Sequence, residues 1–64
     1  MFEVKGEKFL DVYEMMKWLK LSRESIYAYV RQGMPSLKLG WSRFFNLKDV
    51  KKWLKKNKGF IFYE

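Results

Sequence analysis

Apolar and polar positions along the chain change period several times, and each change marks an element. Phe2 and Val4 alternate with Glu3 and Lys5 before Gly6, which predicts a short strand over residues 2–5 and a turn at the glycine. The spacing then lengthens. Val12, Met15, Met16 and Leu19 recur at helical intervals with Trp18 at their margin, predicting a helix from Asp11 to about Lys20. Asp11 and Glu14 have the spacing of a capping box at its start, and Leu10 stands where a staple residue belongs. Ile26 and Val30, with Tyr29 between them, predict a second helix over 22–32, capped by the Ser22 hydroxyl and stopped by Gly33. Alternation returns on either side of Gly40, Trp41 and Ser42, so 37–45 reads as a β-hairpin. Such a ribbon needs a helix to pack on, through Leu37, Leu39 and Phe44 or Phe45. Asn46 then caps a third helix with the stripe Leu47, Val50, Trp53 and Leu54, ending at 57–59, and Trp53 is expected to contribute most to the core. The apolar run Phe60, Ile61, Phe62, Tyr63 reads as a strand paired with 2–4, or as an edge for self-association between copies on adjacent sites.

Two helices joined only through Lys20 and Leu21, the second polar on its free side, make a helix-turn-helix, and the hairpin after them makes a wing. The expected fold class is therefore mainly α with a small β-hairpin: a winged helix-turn-helix of three helices plus wing, with a terminal strand pair, in a single domain over 1–64. On the second helix the free stripe is Arg23, Glu24, Tyr27, Ala28 and Arg31. Arginine reads guanine in a major groove, and hydroxyl and aromatic groups hold phosphate, so this stripe suits duplex DNA. An ordinary amphipathic surface helix has the same pattern.

Composition narrows the choice. Cysteine and histidine are both absent, which excludes disulfides, thiolate or imidazole metal sites and the usual histidine-based catalysis. The seven carboxylates are scattered in caps and turns, no nucleophile has a plausible base and no phosphate loop is present, so the chain reads as no enzyme, with no cofactor and no metal. Six Phe, three Trp and four Tyr are an efficient way to build a core in 64 residues. The formal charge of +7 is uneven. Residues 1–35 carry six basic and five acidic side chains, whereas 36–58 carry eight basic ones against Asp49 alone. A field so concentrated points to a polyanion, nucleic acid first and an anionic membrane surface as its rival. The third-helix lysines also fit a solvated face favoured by the helix dipole, Lys51 and Lys55 reinforcing the field more than touching phosphate. No apolar run approaches bilayer length and charges interrupt the N-terminus, so the expected setting is cytoplasmic and DNA-associated.

The order of these features resembles the excisionase and MerR-like class of winged helix-turn-helix domains. The matches begin with Glu14, Leu19, Ser22, Arg23, Ser25, Ile26 and Tyr27, and continue through the turn at Arg31 and Gly33 to Lys38, Gly40, Arg43 and Phe44 of the hairpin. They close with Asp49, Val50, Trp53 and Leu54. The chain departs at Met15 and Met16, where the family has small alanines, and at Ala28, where a longer polar residue is common. The resemblance implies a second helix in the major groove and a wing on the adjacent backbone or minor groove. It also implies an excisionase or small regulator of a phage or mobile element that bends DNA and helps a separate integrase or recombinase assemble, in recombination or transcription regulation. Gln32 to Pro35 also looks like the DNA-binding domain of phage terminase small subunits. The expected DNA-binding set is Ser22, Arg23, Glu24, Ser25, Tyr27, Ala28 and Arg31 on the helix, with Lys38, Trp41, Ser42 and Arg43 on the wing. The competing expectation is a protein-interaction module, such as a phage-encoded inhibitor that holds an acidic host protein.

Overall fold

The computed structural model describes residues 1–62. The chain runs β1 (Phe2–Val4), β2 (Glu7–Asp11), α1 (Val12–Leu19), α2 (Arg23–Arg31), β3 (Leu37–Leu39), β4 (Ser42–Asn46) and α3 (Leu47–Lys58). Its four strands form one antiparallel sheet in the order β1-β2-β4-β3. α1 and α3 pack on the sheet, and α2 packs on α1.

This corrects the expectation of a mainly α domain with one free hairpin. The strand that pattern reading misses is β2. Lys5 and Gly6 both have positive φ (51° and 81°), as a two-residue type I′ turn requires, and the chain returns beside β1 with Phe2 opposite Phe9 and Val4 opposite Glu7. Strand β2 hides in the sequence because its two apolar residues are neighbours. Leu10 faces the helices and is buried, while Phe9 faces outward, where it stacks on Phe2 at 5.3 Å. β4 repeats the arrangement, with Phe45 inward and Phe44 outward in edge contact with Phe2 at 5.0 Å. Because Leu37 pairs with Phe44, Leu37 and Leu39 also face outward and stay exposed, so they are not the hairpin's packing contact; Phe45 is.

The two hairpins are halves of one repeat. Residues 2–20 and 37–55 align without a gap, and their strand registers coincide: Phe2 with Phe9 and Leu37 with Phe44, Val4 with Glu7 and Leu39 with Ser42. Each half ends its second strand on a capping residue, Asp11 or Asn46, and passes directly into a helix carrying Lys-Trp-Leu-Lys at 17–20 or 52–55. The equivalent residues Leu10 and Phe45 pair with each other across β2 and β4, so a pseudo-two-fold axis passes through the core at that pair. α2 is the segment inserted between the halves.

Capping sets the helix boundaries. The Glu14 N–H donates to Asp11 Oδ1 (2.8 Å) and the Asp11 N–H to Glu14 Oε1 (3.1 Å), closing the box. A hydrogen bond from the Met1 amine, together with that Asp11 N–H, holds Glu14 below the usual carboxylate range. Its contribution is thus present above the ordinary carboxylate pKa and is lost as pH falls through the depressed one. Ser22 Oγ and Asn46 Oδ1 accept from the Ser25 and Asp49 N–H groups, both at 3.2 Å. α2 closes with the Gly33 N–H on the Val30 carbonyl and the Met34 N–H on the Tyr29 carbonyl, a Schellman pair that brings Met34 into the core. Asp11→Ala and Asn46→Ala are each expected to cost about 1 kcal/mol, read from urea denaturation midpoints.

The core is Leu10, Val12, Met15, Ile26, Met34, Phe45, Val50 and Leu54. Phe45, not Trp53, is its largest fully buried side chain. Trp53 lies at the margin, half-buried against Tyr29, with ring centroids 5.8 Å apart. The tail forms no strand over 60–62 and does not pair with β1. Instead Phe62 stacks on Trp18 at 5.3 Å and on Phe60 at 6.0 Å. Tyr63, the last residue of the expected terminal strand, lies outside the described residues.

Candidate nucleic-acid interface

α2 turns Ile26 and Val30 toward the core, which leaves Arg23 and Arg31 exposed on one stripe with Tyr27 between them, half-buried and packed on the edge of the core. The turn between Leu39 and Ser42 lifts Trp41 to the tip of the β3–β4 ribbon, where it is fully exposed.

Arg43 joins the two elements. It sits on the helix-facing side of β4, half-buried, with its guanidinium carbon 6.0 Å from the Tyr27 ring centroid and one N–H donated to Ser36 Oγ at 2.7 Å. Of the five donors in the fork, that bond uses one. The result is an open cleft of about 200 Å³ lined by Arg23 and Tyr27 of α2, Trp41, Ser42 and Arg43 of the ribbon, and Asp11, Val12 and Tyr13 at the start of α1.

Five of the expected residues therefore meet in one place. Arg31 is exposed on the same stripe of α2, two turns beyond Arg23, and Lys38 is exposed on β3 opposite Arg43; neither lines the cleft. Glu24 is exposed at the first turn and Ala28 is half-buried. Ser22 and Ser25 have a structural role: the Ser22 hydroxyl caps the helix and donates to Ser25 Oγ at 3.1 Å. Sequence reading misses Tyr13, Asp11 and Ser36. Only β2 brings the start of α1 beside the ribbon, so without that strand nothing places them there.

No protein family, curated protein or solved structure matches the chain. The internal repeat supplies a comparison instead. Residues 2–20 carry four lysines against four carboxylates, whereas the equivalent 37–55 carry six cations against Asp49 alone. Both halves have the same strand pairing and a capped helix start, although α3 runs four residues longer than α1, so the strands and N-caps do not require this excess. Among the described residues no helix is long and apolar enough to cross a membrane, and no group of three potential metal ligands is present.

Proposed function

We propose that the chain is a non-enzymatic, sequence-specific double-stranded DNA-binding protein, an excisionase-like architectural or regulatory factor of a phage or mobile element that acts in the cytoplasm. α2 enters the major groove with Arg23, Tyr27 and Arg31, and the ribbon lays Lys38, Trp41, Ser42 and Arg43 on the adjacent backbone or minor groove. The observation that supports this is the single cleft in which Arg23 and Tyr27 of one element meet Trp41, Ser42 and Arg43 of the other. The specific role and an integrase or recombinase partner follow from the motif resemblance across residues 14–54.

Binding measured against salt separates the contacts. Lys38→Ala, which removes a phosphate contact, is expected to weaken all duplexes alike and to lower the salt slope by about one unit. Arg23→Ala and Arg31→Ala are expected to relax sequence preference. If both arginine variants keep the wild-type ratio of specific to random binding, α2 is not the reading element.

One observation favours a second reading, a module that binds a host protein. The outer face of the sheet gathers Phe2, Phe9 and Phe44 with the exposed Val4, Leu37 and Leu39. Capture of an acidic host protein, with no affinity for duplex DNA at low salt, would decide for that reading.

A further inference from the structure

We propose that α3 carries a second nucleic-acid site, one that holds the phosphate backbone of another duplex segment and makes the protein a bridge between two. This rests on the reading of the α2–ribbon cleft as a duplex site. An open groove of about 760 Å³ is lined by Lys48, Lys51, Lys52, Lys55, Lys56 and Phe62, and it shares no residue with that cleft. Among the described residues no carboxylate lines the groove, and Lys48, Lys52, Lys55 and Lys56 held this close repel one another, a repulsion that a polyanion relieves.

The spacing selects the kind of anion. Lys48, then Lys51 and Lys52, then Lys55 and Lys56 form three rungs, each one helical turn of ~5.4 Å from the next, so the ladder suits a repeating charge better than one small ion. Its aromatic floor argues against single strands. A single-strand site offers ring faces for bases to stack on, but Phe62 already stacks on Trp18 and Phe60 and has the Lys51 ammonium 5.9 Å from its centroid. A sugar-phosphate backbone needs no stacking surface.

The repeat sets three of the five lysines apart from what the fold shares, since Lys52 and Lys55 have lysines, Lys17 and Lys20, at the equivalent positions. In α1 and the residue after its cap, the positions equivalent to Lys48, Lys51 and Lys56 are Tyr13, Met16 and Leu21, while the core and capping positions match across the halves. At 100° per residue Lys48, Lys51 and Lys55 lie roughly 140–160° around α3 from Trp53. Trp53 and Lys58 of α3 meet Tyr29 of α2, so these three lysines lie away from α2, while Lys52 and Lys56 also border a shallow groove beside Trp53.

The test immobilises one duplex on beads and measures capture of a second, fluorescent duplex at low salt. Wild-type protein is expected to capture it. The Lys48→Gln, Lys52→Gln, Lys55→Gln, Lys56→Gln variant should still bind the first duplex yet capture roughly tenfold less of the second. A charge-matched control, Lys5→Gln, Lys8→Gln, Lys17→Gln, Lys20→Gln, should bridge like wild type, with far-UV circular dichroism checking the fold of both. Equal bridging by the two variants would overturn the site, since bridging would then arise from another contact between copies. Wild-type protein that binds one duplex but captures none would overturn it while leaving the cleft reading intact. No binding of any duplex would overturn both. Groove substitutions that abolish binding to phosphatidylglycerol vesicles and leave bridging unchanged would assign the groove to a membrane surface and also overturn it.

Discussion

Phe45→Ala is expected to leave most of the protein unfolded at room temperature. The ring has no accessible surface and lies on the pseudo-two-fold axis opposite Leu10, where both halves of the repeat close on one another. Truncating a buried phenylalanine costs ~3–5 kcal/mol, and a domain of this size without disulfides rarely holds more than about that. Phe44→Ala is the control. That ring is next in sequence but on the outer face, half-exposed, so its loss should cost clearly less and leave a cooperative transition. Urea denaturation followed by circular dichroism measures both. Similar losses at the two positions would mean that the sheet does not face its helices as described.

The second large effect concerns binding. Arg43→Ala is expected to weaken duplex binding by ~1–3 kcal/mol, about 5- to 150-fold, measured by fluorescence anisotropy. Arg43 is placed to act on both sides of the cleft: its guanidinium lies over Tyr27 of α2, and Ser36 fixes one edge of the fork. Losing it removes a cation and frees the ribbon from the helix. Arg43→Lys should recover only part of the affinity, because an ammonium keeps the charge but not the planar fork or its stacking on the tyrosine. Full recovery by lysine would reduce the residue to a point charge.

The helix starts were legible because each is written locally. Asp11 with Glu14, Ser22, and Asn46 with Asp49 mark the first turns of the helices they cap, and Gly33 and Gly59 mark two of the ends. What local pattern does not carry is pairing between distant segments. Glu7–Asp11 has too few apolar residues in alternation to read as a strand, and it becomes central only because β4 lies beside it. The repeat is hidden for a related reason. Its halves agree in register and caps but differ at the turns, Lys5-Gly6 against Gly40-Trp41, and in charge. The site divides along the same line. Arg23, Tyr27, Trp41, Ser42 and Arg43 stand out by residue type on a predicted stripe or hairpin, whereas Tyr13 and Ser36 join them only through tertiary placement.

The most direct test of the account is an amide chemical-shift titration of the protein with a short duplex, up to one duplex per chain. The largest changes are expected along α2 from Arg23 to Arg31 and on the ribbon from Lys38 to Arg43. Changes centred on Phe2, Phe9 and Phe44 of the outer sheet face, with α2 and the ribbon unmoved, would contradict it.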